Sequence, residues 1–309
     1  MAYVGKGVKH IDRMLTYTDY SAYLSRYFSG KMQKLTIDAR FTCPNRDGSK
    51  GRGGCIYCNN HSFSPSVARE DVPVADQLEA GKRFFGRKYP DMRYLAYFQS
   101  YTNTYDSPQK LMRLYREALA VDGIEGLIIG TRPDCVSDEL LSDLSALARE
   151  HYVMIEYGAE SSHDETLLRV NRCHTWADTV SAVRRTTEAG IHVGLHLIMG
   201  LPGETRQMML DTVSACCRLP IDVLKLHQLQ VIEGTRLSQM ADGLRLFTVE
   251  EYLDLCVDVV RLVPEHIAIE RFTSSAPREL LIAPRWDLKN YEFVNLLKNR
   301  LKNEDPVCE

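Results

Sequence analysis

Residues 34–58 read KLTIDARFTCPNRDGSKGRGGCIYC, a β-branched run from Lys34 to Asp38 that passes directly into a loop carrying Cys43, Cys55 and Cys58. Gly48, Gly51, Gly53, Gly54 and Pro44 make residues 43–58 a loop rather than a helix. Five further β-branched or aromatic runs begin at Arg93, Gly126, Val153, His192 and Val223. Their separation of roughly thirty residues is that of a repeated strand–helix unit. Between them lie amphipathic helices with readable starts. Ser107 caps one with Pro108 in its first position, and Ser137 caps another ahead of Asp138 and Glu139. Thr248 and Glu251 form a capping box before Tyr252, Cys256, Val259 and Val263. Six such units with no intervening hairpin predict a parallel α/β sheet. Six are too few to close an eight-stranded barrel, so an open three-quarter barrel or a doubly wound sheet remains. Both place a ligand at the carboxyl ends of the strands.

Composition narrows the class of function. The chain has 309 residues, 44% hydrophobic and 26% charged, with a net charge of −3. That excludes a protein held to nucleic acid mainly by overall field strength, though not one that touches RNA through a local patch. No apolar stretch reaches the length of a membrane span, and the N-terminus has no apolar signal core. Nine cysteines are too sparse for a disulfide scaffold, so a reducing, cytoplasmic setting is expected.

The C-x11-C-x2-C loop has three readings. Buried free cysteines fit poorly, because glycine-rich loops do not bury cysteine well. Structural zinc, with His61 as fourth ligand in C-x2-C-x2-H, suits the spacing taken alone. An iron–sulfur cluster held by three cysteines leaves one iron open to a small molecule, and that requires a site facing the strand ends.

With Tyr57 directly before the last cysteine, the loop resembles the radical S-adenosylmethionine (SAM) superfamily. The x11 gap is similar to that of the elongator-catalytic-subunit and coproporphyrinogen-oxidase-like branch, and the string YFQSYTNTY at 97–105 resembles its YhcC-type subfamily. The resemblance covers roughly residues 33–275. It implies a partial, three-quarter (β/α)6 TIM-like barrel of the radical SAM type at 33–275, with an N-terminal extension at 1–32 and a C-terminal one at 276–309. It also implies a [4Fe-4S] cluster on Cys43, Cys55 and Cys58, and SAM as co-substrate. Gln99, Ser100, Thr102 and Asn103 stand where the family receives the SAM ammonium. Gly130-Thr131-Arg132-Pro133-Asp134 resembles the TRPD segment of the elongator branch; read without it, Arg132 and Asp134 form a surface pair beside a turn proline. Glu160 and Arg172 occupy the family's ribose and carboxylate positions, with Glu160 in place of the common Gln and Cys173 in place of the common Gly. HLIMGLPGE places His196 near the ribose, and Gln230-Val231 along the adenine. His227 reads as barrel interior.

Among the other cysteines, Cys216, Cys217 and Cys256 lie on helices and Cys308 in the tail. Cys135 and Cys173 lie in strand-end loops on the substrate side. Without a second C-x2-C pair, no auxiliary cluster is expected. The resemblance implies an enzyme that uses the cluster to cleave SAM reductively and start hydrogen abstraction, with a reductant such as flavodoxin or ferredoxin as partner. It points to tRNA wobble-uridine side-chain modification; a small-molecule metabolite is the alternative substrate, and a zinc-binding interaction protein the alternative class. Tyrosines 17, 20, 23 and 27 with Arg13, Arg26 and Lys31, and a basic C-terminal segment with Lys298, Arg300 and Lys302, are the expected RNA-facing rim if they are not simply solvated helix faces.

Overall fold

The computed structural model describes residues 16–59, 72–87, 89, 91–240, 244–274 and 276–304. Six of its strands are those of the sequence reading: β2 (Met32–Ile37), β3 (Arg93–Phe98), β4 (Ile124–Thr131), β5 (Tyr152–Glu160), β6 (His192–Met199) and β7 (Val223–Gln228). Two more join the same sheet, β9 (Ala268–Arg271) beside β7 and β1 (Thr18–Asp19) at the edge. The order is β2-β3-β4-β5-β6-β7-β9-β1, and every pairing is parallel. A short pair outside the sheet, β8 (Val231–Ile232) with β10 (Leu281–Ala283), is antiparallel. The expected α/β open barrel is what the chain forms, with two strands beyond the six.

Crossovers in one direction put the helices on the outer face. They are α2 (Val74–Gly86), α3 (Pro108–Leu119), α4 (Asp138–Leu147), α6 (Trp176–Glu188), α7 (Arg206–Cys217) and α8 (Val249–Leu262). Shorter α1 (Tyr20–Leu24) precedes β2, α5 (Asp164–Arg169) follows β5, and α9 (Asn290–Glu304) ends the described chain. The caps read from the sequence are present. Ser137 accepts from Leu140 N, and Thr248 and Glu251 form a reciprocal box at α8. Thr175 and Asp178 form a second box at α6. The outer core is continuous between sheet and helices. Leu111, Met112, Tyr115 and Ala118 of α3, for example, pack onto the face built by Ile37, Phe98 and Ile129.

Inside the curl, beside an apolar cluster that includes Leu95, Ile128 and Met154, lies a group of charged side chains. Lys34 Nζ on β2 lies 2.6 Å from Glu156 of β5 and 2.5 Å from Glu270 of β9. Lys225 on β7 reaches the same two carboxylates at 2.9 and 3.3 Å. Tyr97 OH donates to Glu156 at 2.7 Å and accepts from Lys225 at 2.9 Å. Contact between β2 and β9, near opposite ends of the sheet order, is possible only because the sheet is strongly curled. Two cations and two anions leave this floor neutral, which makes burial of four charges tolerable.

Candidate active site

The cysteine loop leaves β2 and is tied down at several points. Its two arms meet in a bridge between Asp47 and Arg52. Asn45 Nδ2 donates to Asn171 O at 2.5 Å, Asn171 Nδ2 donates to Gly54 O at 2.7 Å, and Arg236 donates to the same carbonyl at 2.8 Å. Ile56 N donates to Val170 O, so the loop is fastened to the segment after α5. Gly51 is required at this seam: a Cβ there would lie 2.2 Å from Asn45 Oδ1 and 2.8 Å from Cys173 Sγ. Cys173 holds a left-handed backbone conformation, at φ +56°, of the kind glycine favours. Its thiol donates to Asn45 Oδ1 at 3.1 Å and so clamps the loop.

Cys43, Cys55 and Cys58 all line one cavity at the carboxyl ends of the strands, as do Tyr57, Gln99, Thr102, Glu160, Arg172 and His196. This places nine of the twelve expected site residues around one space of about 190 Å³. The other three do not line it. Asn103 Nδ2 is committed to the carbonyls of Phe98 and Gly130, at 3.2 and 2.7 Å, and stitches β3 to β4. Ser100 is buried beneath the same turn. Val231 packs into an apolar cluster with Ile56, Val170 and Ile198, while its neighbours Gln230 and Ile232 face the cavity. Cys135 and Cys173 also stay outside the lining; burial, with Asp134 beside it, pushes the Cys135 thiol up to about 12. His61 and Cys308 lie outside the described residues. Among the described residues, no three Cys, His, Asp or Glu side chains already stand in metal-ligating geometry. Burial and the adjacent Cys55 push the Cys58 thiol up to about 11, a preference that a bound metal reverses.

The polar wall is built around Glu160. The pairing of β5 with β6 shifts between Gly158 and Glu160, and Glu160 takes φ +65°. Such a bulge re-aims a side chain at the rim of a sheet, and the strained backbone marks a position fixed by its surroundings. Glu160 lies 3.4 Å from Arg172 and 3.2 Å from His196. Burial pushes its carboxyl up, but His196 and then Arg172 outweigh this and hold it down to about 2. Arg172 donates to Gly158 O at 2.6 Å and lies 3.6 Å from Cys55 Sγ. His227, expected in the barrel interior, is there, its ring 4.7 Å from that of His196.

Arg132 and Asp134 are not a surface pair. Arg132 is 2% exposed, and its guanidinium forks onto Asp134 at 2.9 and 3.0 Å and reaches Cys173 O. The buried setting raises the Asp134 carboxyl, but Arg132 and Lys50 outweigh it and hold the group well below its ordinary range. Several buried polar atoms of cavity residues have no hydrogen-bond partner among the described residues: Tyr57 OH, Thr102 Oγ1, Arg132 Nη1, Arg172 Nε, His196 Nε2 and Arg271 Nε. Buried polar atoms are normally paired, so a ring of six unpaired ones around a cavity fits a polar ligand with donors and acceptors on several sides.

Sequence reasoning missed Tyr97, Glu156, Lys225 and Arg271, which also line the cavity. It also misplaced the rim. Tyr23 is 1% exposed, Tyr20 lies over Lys34, and Tyr27 packs on Tyr152 and His192, the first residues of β5 and β6. These rings fill the amino-terminal end of the barrel, away from the cavity. Arg300 pairs with Glu250 and Asp254 of α8, and Arg13 lies outside the described residues. Exposed cations near the cavity include Arg46, Lys50 and Arg52 of the cysteine loop and Arg236, which is bonded to Gly54 O.

Comparison with known proteins agrees with this geometry. The family profile of the radical SAM superfamily matches residues 47–216, and that of the radical SAM C-terminal domain matches residues 221–303. The chain is 37% identical to protein YhcC of Escherichia coli over 85% of each chain. It is 32% identical to YtqA of Bacillus subtilis, covering 93% of this chain and 90% of that one. A tRNA uridine(34) acetyltransferase of Methanocaldococcus infernus is 26% identical over 50% of this chain and 30% of its own length. The structure of Elp3 from the same archaeon superposes with a TM-score of 0.66 at 17% identity, covering 90% of this chain and 64% of that one. Among the described residues no helix is long and apolar enough to cross a membrane. With its cysteine loop and polar cavity at the strand ends, this chain belongs to the radical SAM superfamily, a family of enzymes using a [4Fe-4S] cluster and SAM.

Proposed function

We propose that Cys43, Cys55 and Cys58 hold the [4Fe-4S] cluster, that the facing polar wall binds SAM, and that the enzyme acts on tRNA at or near the side chain of the wobble uridine. The observation that carries the first two parts is the shared cavity, with three sulfurs on the loop side and six unpaired buried polar atoms around it. When bound, the cluster and SAM supply a one-electron route to hydrogen abstraction from a substrate. The protein's part is to bind, orient and exclude water. Arg172 is the group for the SAM carboxylate, through a charge-assisted bond from its unpaired Nε. Glu160 stays ionised, and the remaining lone pairs of its carboxylate accept from ribose hydroxyls, with His196 alongside. Gln99 and Thr102, which face the cavity, take the ammonium in place of Ser100 and Asn103. Gln230, rather than Val231, offers polar contacts to the adenine. The neutral floor of Lys34, Glu156, Lys225 and Glu270 closes the barrel beneath the cavity.

Two observations support tRNA as the substrate. The chain resembles tRNA uridine(34) acetyltransferases over half its length. The exposed face of its cysteine loop is basic, with Arg46, Lys50 and Arg52 near the cavity. A low-potential one-electron donor, such as flavodoxin or ferredoxin, and a reducing cytoplasmic setting complete the reading. Mass spectrometry of tRNA nucleosides from cells lacking the protein is the test. Loss or build-up of one modified uridine is expected; an unchanged profile would leave a small-molecule substrate in its place.

A further inference from the structure

The cavity contains more guanidinium groups than SAM can use. SAM has one carboxylate, for which Arg172 is placed, and Arg132 is already forked onto Asp134. Arg271, the last residue of β9, also lines the cavity. Its buried Nε has no hydrogen-bond partner among the described residues. The nearby acids are spoken for, since Glu156 and Glu270 are each shared between Lys34 and Lys225. A guanidinium left without an anion beside a binding cavity is a ligand site waiting for one.

The backbone is arranged to put it there. Along β9, Ile269 pairs with Leu224, but Arg271 pairs with Lys225, so Glu270 is an extra residue opposite one position of β7. In a regular strand, successive side chains point to opposite faces. The irregularity brings both Glu270 and Arg271 to the interior: Glu270 joins the charged floor and Arg271 the cavity lining. It parallels the shift in β5 that aims Glu160. The chain beyond Arg271 is held as well. Asn290 Oδ1 accepts from Phe272 N and Thr273 N at 3.2 Å each, and Gln228 and Gln230 both donate to Ser274 O.

We infer that Arg271 anchors an anionic group, carboxylate or phosphate, on the substrate. The inference rests on the radical SAM reading of the cavity and adds a substrate class to it: the molecule acted on carries a negative charge that reaches β9.

The test uses the full-length, cluster-loaded protein with saturating SAM, and Arg271→Gln and Arg271→Lys variants. Calorimetry measures the affinity for inorganic phosphate, for succinate and for the neutral succinamide. Wild-type protein is expected to bind at least one anion and not succinamide, the preferred anion separating phosphate from carboxylate recognition. Arg271→Gln should lose about tenfold or more of that affinity, the scale of one charge-assisted hydrogen bond, and Arg271→Lys should recover part of it. Visible absorption of the cluster, SAM affinity and thermal midpoint should be unchanged in both variants. Equal anion binding in wild type and Arg271→Gln, or no anion binding in wild type, would overturn the inference alone. A fall in SAM affinity in Arg271→Gln would also overturn it, by assigning Arg271 to the SAM carboxylate. Wild-type protein that holds no cluster and no SAM would instead remove the reading beneath it.

Discussion

Arg172 Nη1 lies 3.6 Å from the sulfur of Cys55, so one guanidinium spans the two halves of the site. Its other arm donates to Gly158 O and faces Glu160. The proposed cluster-binding loop and SAM-binding wall therefore share a side chain, and they are not independent under mutation.

Replacing Cys43, Cys55 or Cys58 with Ala should each abolish the visible charge-transfer absorption of anaerobically reconstituted protein and cut iron well below about four per chain. Replacing Cys135 or Cys173, which do not line the cavity, should preserve both. Iron retained in a Cys55→Ala variant would contradict the assignment.

Arg172→Ala and Glu160→Ala should retain iron but weaken SAM binding by roughly 1–3 kcal/mol each, the loss of one hydrogen bond to a charged group. Glu160→Gln should lie nearer wild type, since the amide keeps an acceptor. Because the two residues touch, the double variant should lose less than the sum of the singles. Titration calorimetry with SAM reads all four proteins, and additive losses would show that the residues act separately.

The buried floor should be intolerant of losing one partner. Glu156→Gln leaves Lys34 and Lys225 with a single carboxylate, Glu270, between them, and breaking a buried ion pair in this way costs about 3–5 kcal/mol. Changing Glu156 and Lys225 together to Leu and Met should recover much of that loss. Urea unfolding of the metal-free protein measures both, with a midpoint shift at constant slope as the expected signature.

Acid should destabilise the protein in two windows. Burial and then Arg172 hold the His174 imidazole down to about 4, against an ordinary 6.5. The unfolded chain binds that proton first, so stability is complete above pH 6.5 and falls as pH drops from 6.5 towards 4. Glu160, held to about 2 against 4.5, contributes stability above pH 4.5 that is lost as pH falls from 4.5 towards 2. A His174→Gln variant should shallow the upper window, which buried His227 shares, and leave the lower one unchanged; Glu160→Gln should shallow the lower window, which Glu156 and Asp134 share, and leave the upper one unchanged. Chemical denaturation of metal-free protein at stepped pH values separates them.

The order of six strands and the cavity at their carboxyl ends were legible because each strand is a continuous apolar run at βα spacing. β9 was not: AIER is four residues long, half of it charged, and it joins the sheet only because Glu270 finds Lys34 and Lys225 inside the curl. Glu156 and Lys225 were hidden for the same reason, since a charge inside an apolar run declares a partner without naming it. Arg132 read as exposed because its partner is two residues away; its burial comes from Cys173 O, forty-one residues on. The aromatic N-terminal segment read as a surface because its packing partners, Tyr152 and His192, begin distant strands.

The tRNA reading makes a positional demand on charge. With a net charge of −3, attraction for RNA must be local, and the termini do not supply it near the site. Arg300 is paired with Glu250 and Asp254, and Tyr23 and Tyr27 lie at the other end of the barrel. The cysteine loop presents Arg46, Lys50 and Arg52 instead. Lys50 already meets Asp134 at 2.7 Å, and Arg46 donates to Cys58 O, so Arg52 is the residue whose reversal disturbs the cavity least. Arg52→Glu should weaken binding of unmodified tRNA several-fold at 50 mM salt and reduce the slope of log affinity against log salt by about one, as one phosphate contact is lost. Lys298→Glu with Lys302→Glu should change neither quantity. Filter binding across a salt series decides between the two surfaces. If the C-terminal pair carries the effect, the substrate approaches along α9; if none of the three changes matters, the basic loop is not the tRNA surface.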